Sequence, residues 1–188
     1  MNKKQKLLNN ISFSHRLELR PTRSTVISNV IFFTALLLNL VNMKLFEKTI
    51  IRLEIIAVLY VFGGCSFFLF KKKLKELSSW NNFTAAIFCL FVSGSYLTTF
   101  MLGINYCFAE KKTENRIYKI VRKTEIIGPK YDRKRKKPAA IIETGKNQTK
   151  RMEFKRDMKA RLDQAEFLEL ETSKGFFYFE VIRGSKLI

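Results

Sequence analysis

Three long apolar runs constrain this chain more than any other feature. Thr25–Met43, Ile50–Phe70 and Phe83–Ala109 contain no proline. At about 1.5 Å of helical rise per residue each reaches roughly 30 Å, the thickness of a bilayer's hydrocarbon core. The first run has 19 residues without a charge. It follows a basic flank, as a secretory signal would. However, it outlasts a signal core and no small-x-small cleavage site follows Leu40, so it reads as an uncleaved anchor. The second carries Arg52 and Glu54 near its start and is clean from Ile55 onward. The third follows Trp80, which suits an aromatic anchor at headgroup level. The expected organisation is a basic N-terminal segment (1–24), a three-span unit (25–109, with spans 25–43, 50–70 and 83–109) and an extramembrane domain (110–188).

Charge is distributed unevenly over these parts. Residues 1–109 hold 13 Lys+Arg against 4 Asp+Glu, and residues 110–188 hold 22 against 12, so the tail carries +10 of the total of +19. Such a balance favours anionic surfaces and says little about fold. Lys and Arg near span ends set orientation. With the N-terminus inside, ten such bases lie on the cytoplasmic side and nine opposite. That count leaves orientation open. The first anchor usually dominates, and Lys71-Lys72-Lys73-Leu74-Lys75 abuts a span, so the expectation is an inside N-terminus and a tail outside the cytoplasm. Cys65, Cys89 and Cys107 all fall in apolar runs. An odd number within spans argues against a disulfide framework or a thiolate metal site, and for small packing residues.

The tail changes period. Arg116–Ile127 is rich in Ile, Val and Tyr. Ala139–Thr144 and Gln148–Phe154 flank Gly145-Lys146-Asn147, whose glycine and asparagine tolerate positive φ in a hairpin turn. Lys155–Gln164 is mostly charged, with Met158 and Leu162 four apart, and reads as a short helical link. Phe167–Thr172 and Phe176–Arg183 flank a second hairpin signal, Ser173-Lys174-Gly175. The expected fold is therefore a membrane α-helical unit of three transmembrane helices plus a small all-β C-terminal domain. Its form would be an antiparallel meander or partly open barrel of about five strands.

No catalytic constellation emerges. His15, the only histidine, lacks a partnering carboxylate, Cys or Ser arrangement. Thr144-Gly145-Lys146 lacks the earlier glycine of a phosphate loop, because position 140 is Ala. Asn147-Gln148-Thr149 fits a glycosylation acceptor, a pattern common by chance. No cofactor, metal or small-molecule substrate is expected.

Four features carry two readings each. Ala85, Cys89 and Ser93, spaced by four with Gly94 beside them, form a helix-packing face, within the three-span bundle or toward a partner helix or second copy. Glu54 either reaches the interface by snorkelling or lines an ion path. Lys130, Arg133, Lys134, Arg135, Lys136 and Lys137 give six bases in eight positions. That run is either a solvated loop or a contact for anionic lipid or an acidic partner. Nucleic acid is not expected, because the aromatic platform of single-strand binders is missing apart from Tyr131. Phe176–Ile182 is either a strand buried on both faces or an aromatic surface resting on a bilayer or partner.

In general plan, a few short spans and a small β domain, the chain is similar to bacterial membrane proteins. The resemblance assigns no residue a role. The expectation is a multi-pass protein of a bacterial plasma membrane: a non-enzymatic accessory or anchoring protein in contact with membrane lipid. Its β domain would bind a protein partner or the membrane surface, with self-association through the spans as another route. The alternative is a small transport or channel subunit with Glu54 and polar residues of the third span along its path.

Overall fold

A computed structural model describes residues 23–77, 81–127, 136–145 and 148–188, without the side chains of 24 and 75–77. Three helices dominate the first part: α1 (Arg23–Glu47), α2 (Leu53–Leu77) and α3 (Asn82–Cys107). Each has 25 or 26 residues, about 38 Å of rise and more than a hydrocarbon core requires. Their apolar side chains point outward, with Phe62, Phe68 and Leu69 70–80% exposed. Water would penalise that exposure and lipid does not. The chain is a multi-pass membrane protein with three candidate spans. Local chemistry sets the helix ends. The Thr84 N–H donates to Asn81 Oδ1 at 2.8 Å and caps α3. Glu54 lies in the first turn of α2, where the helix dipole favours an acid. The second helix begins at Leu53 rather than Ile50, because Thr49–Ile50 forms a strand, β1.

The described residues cluster into two compact units. The first joins Tyr60–Tyr96 to the α1 residues up to Leu38. Its packing follows the small residues. Ser66 and Ser93 share a hydroxyl hydrogen bond of 2.8 Å. Ala85 and Cys89 are buried with Leu74, against Phe67 and Phe88. A Cβ on Gly63 would lie 2.5 Å from the Gly94 amide nitrogen and 2.8 Å from its Cα. Backbone meets backbone there, so nothing can swing aside. Gly63→Leu should therefore separate α2 from α3. In a chain freed of native cysteines, a Ser66→Cys/Ser93→Cys disulfide should form readily. Adding Gly63→Leu should slow it by about tenfold or more, equivalent to ~1.4 kcal/mol or more of lost packing. An unchanged rate would mean that the glycine contact does not hold the pair.

The second unit joins Asn39–Leu59 to Leu97–Ile188. It contains the strands β2 (Thr113–Ile126), β3 (Lys137–Gly145), β4 (Gln148–Glu153), β5 (Phe167–Lys174) and β6 (Glu180–Leu187). A 3-10 turn (Arg156–Met158) and the short helix α4 (Lys159–Gln164) link β4 to β5. With β1 they form one antiparallel sheet of six strands, ordered β1-β6-β5-β2-β3-β4. β2 is long enough to serve two neighbours. Thr113–Lys119 pairs with β5, and Ile120–Ile126 pairs with β3 across an irregularity at Val121. Such an irregularity bends a strand and lets a sheet curl. Ile142, Leu168, Leu170 and Leu162 of α4 form the buried interior. Ile50, Tyr118, Met152 and Ile182 pack on it, so every strand contributes and the sheet is a nearly closed barrel.

Two features differ from the sequence expectation. The sixth strand comes from the loop between the first two helices: Thr49 pairs with Val181 and Ile50 with Glu180. Two candidate spans, α2 and α3, separate β1 from β2 along the chain. Phe176–Phe179 is not a strand but the connection between β5 and β6. Gly175 N–H donates to the Phe179 carbonyl (3.0 Å) and Tyr178 N–H to the Gly175 carbonyl (2.9 Å), closing a tight loop. Tyr178 is left-handed, at φ 66°.

Candidate functional site at the end of the third helix

Asn105 lies one turn or less from the end of α3 and is fully buried. An unpaired amide there would be costly, and the β5–β6 loop satisfies it from both sides. Its Nδ2 donates to the Phe179 carbonyl at 3.1 Å, and its Oδ1 accepts the Phe177 N–H at 2.9 Å. A Cβ on Gly175 would collide with the Asn105 amide, so only glycine admits this approach. The neighbouring residue strengthens the junction. The Tyr106 ring has the Lys48 ammonium 5.4 Å and the Arg183 guanidinium 5.0 Å from its centroid. Arg183 in turn donates to Ser173 Oγ at 3.1 Å.

This clamp leaves an aromatic cluster facing outward. Phe108, the first residue after α3, is 69% exposed, Phe176 58% and Tyr178 75%. Phe108 and Phe176 meet edge to face at 6.2 Å, and Phe176 and Phe177 at 5.1 Å. Lys174 holds its ammonium 4.2 Å over the Tyr178 ring. Lys112 and Lys174 line a cavity beside Tyr178 together with Arg116, Glu110, Glu114 and Glu180. A left-handed φ costs a non-glycine residue about 1 kcal/mol or more. Tyr178 accepts that cost while presenting its ring to the surroundings. Aromatic rings with nearby lysines at the end of a membrane helix match the chemistry of the headgroup layer.

A second junction joins β4 to the end of α1. Lys150 Nζ donates to the carbonyls of Phe46 (2.8 Å) and Thr49 (2.6 Å) and stands 5.2 Å over the Phe46 ring. A helix C-terminus leaves carbonyls unsatisfied and favours a cation, and Lys150 supplies both needs. Burial pulls its pKa down to about 8, while Glu47 opposes the shift. It lies in a cleft of about 480 Å³ between β4 and β6, lined also by Met43, Phe46 and Ile182.

Comparison with family models, curated proteins and solved structures returned no match. The functional reading therefore rests on geometry.

The residues singled out in the sequence fall in different places. Ala85, Cys89, Ser93 and Gly94 lie in the first unit, where Ser93 and Gly94 meet α2. Glu54 is exposed in the first turn of α2, four residues after Ile50 of the barrel. Of the basic run, Lys136 binds Glu125 at 3.1 Å and Lys137 opens β3, exposed. Lys159 binds the same carboxylate at 2.6 Å. Lys159 first, then Lys136, hold the Glu125 carboxyl below its usual range. Lys130, Tyr131, Arg133, Lys134 and Arg135 lie outside the described residues, as do His15, Trp80, Lys146 and Asn147. Among the polar residues of the third span, Asn105 sends its amide to the β5–β6 loop. Sequence reasoning missed Lys150, although Gln148, Lys150, Met152 and Phe154 alternate inward along β4, and a lone charge on that face was the available signal.

Proposed function

We propose that this chain is a non-enzymatic membrane accessory protein. In this reading its barrel is held against the lipid headgroup layer, leaving the remaining barrel surface free to meet a protein partner. The observation that carries the reading is the Asn105 clamp, which places Phe108, Phe176 and Tyr178 together at the end of the third span. Exposed aromatics grouped in water would be a liability. At the headgroup level they are anchors. Glu54 supports the same reading over transport. Its exposed place beside β1 is level with the barrel rather than midway along a span. The proposal places the N-terminus inside a bacterial plasma membrane and the barrel outside the cytoplasm, in keeping with the basic flank of the first anchor.

The test puts a probe on the loop. In a Trp80→Phe background, Phe176→Trp is reconstituted in liposomes containing phosphatidylglycerol and lipid brominated near the ester end of its chains. We expect strong quenching by the brominated lipid and weak quenching by aqueous iodide. Adding Asn105→Ala removes two hydrogen bonds, a net loss of about 1–3 kcal/mol, and should raise iodide access severalfold. Emission quenched by iodide as freely as that of a soluble tryptophan, and untouched by brominated lipid, would remove the headgroup contact.

A further inference from the structure

The two end strands of the sheet, β1 and β4, do not pair with each other among the described residues. β1 occupies the space between β6 and β4 for only two residues, Thr49 and Ile50. On one side it pairs with Val181 and Glu180, and the Lys48 carbonyl accepts the Ile182 N–H at 2.7 Å. On the other side the Lys150 side chain reaches across from β4 to the Thr49 carbonyl. Beyond β1 the slot continues as the open cleft, with Gln148–Glu153 along one wall and Ile182–Ser185 along the other. Among the described residues, β4 pairs only with β3, and β6 beyond Ile182 pairs only with β5. Each wall is therefore a strand edge with free backbone groups.

The register identifies those groups. The Phe154 N–H donates to the Pro138 carbonyl, so alternation turns the N–H groups of Thr149, Arg151 and Glu153 toward the slot. Phe167 and Ile188 exchange two hydrogen bonds, which turns the Ser185 and Leu187 N–H groups toward it from the other wall. Lys48, Lys150, Arg151 and Arg183 outnumber Glu47 and Glu153 around the cleft, and Glu47 is already paired with Lys44. An unpaired edge is a template for another strand, and most edges in soluble proteins are covered or blunted. Here β1 already shows the kind of occupant the slot takes.

We propose that the slot between β4 and β6 binds an extended, acidic segment of a partner protein, which continues the line of β1 and completes the barrel by strand addition. Backbone hydrogen bonds to both walls supply the affinity, and the surrounding bases select acidic side chains. The open part of β6, Arg183–Leu187, accommodates about five residues, roughly 16 Å of strand.

The experiment uses the full chain in lipid nanodiscs. Its probe is a fluorescein-labelled, acetylated heptapeptide alternating valine with glutamate. Fluorescence anisotropy should report binding, and amide exchange at Arg151, Glu153, Ser185 and Leu187 should slow on its addition. Replacing glutamate with lysine, or methylating the valine amides, should each weaken binding at least tenfold. Thr149→Pro and Ser185→Pro each delete one slot-facing N–H and no sheet hydrogen bond, and should weaken it comparably with the thermal midpoint unchanged. If either variant unfolds, the methylated peptide on the unaltered chain still decides. Absence of binding at millimolar peptide, or equal binding of the methylated form, overturns the proposal. So does a dimeric chain whose slot amides are protected without peptide, which assigns the slot to a second copy.

Discussion

Leu170→Ala is expected to destabilise the barrel by about 3 kcal/mol, the usual loss when a fully buried leucine is cut back and its cavity persists. Leu170 is completely buried at the middle of β5, among Ile142, Phe154, Leu162 and Leu168. β5 is hydrogen-bonded on both sides, by β6 and β2, so the backbone cannot easily collapse into the void. A small domain has roughly 5–15 kcal/mol in total, which makes this a large share. The measurement is amide exchange of the strands in nanodiscs, where the most protected β2 and β5 amides should exchange about a hundredfold faster. The helical residues of the first unit should keep their protection, since the side chain lies outside that unit. Phe167→Ala, next but two along the same strand and 40% exposed, should cost well under half as much. Equal effects of the two substitutions would refute the interior placement.

The second large effect concerns Lys150 and pH. Burial, the leading cause, lowers its pKa from 10.5 to about 8. A folded pKa below the unfolded one means the folded state gives up its proton first. Stability must then rise with pH between the two values. Below about 8 the folded chain bears the full cost of a desolvated ammonium. Above about 10.5 neither state is charged and the cost is gone. The gain across that window is about 3 kcal/mol. Deprotonation does not sever the junction, because the neutral amine retains two hydrogens for the Phe46 and Thr49 carbonyls. Denaturation of the barrel followed from pH 7 to 10.5 should show this rise in the native chain and not in Lys150→Met. Parallel profiles for the two would show that the amine is solvated, and would remove it from the junction.

Much of this architecture is legible in the chain itself. Apolar runs without proline can satisfy their backbone in lipid only as helices, so α1, α2 and α3 follow from composition and length alone. Val, Ile and Phe in short runs between glycine-marked turns likewise announce β2 to β5, and Met158 with Leu162 the helical link, whereas the expected strand Phe176–Arg183 overlaps β6 only from Glu180. Those signals are local, and each element carries its own. What tertiary structure alone decided is every place where a residue answers to one far along the chain. Thr49–Ile50 looks like the start of a span until Val181 offers it an edge. Phe176–Phe179 has the composition of a buried strand, yet Asn105, over seventy positions away, bends it into an exposed loop. Lys150 is one base among many until its amine reaches Phe46 and Thr49. The open slot is invisible in sequence, because it is a property of two edges that no single segment encodes. Periodicity reports which face of an element is apolar, whereas closure, docking and vacancy depend on which elements meet, and that is set by packing.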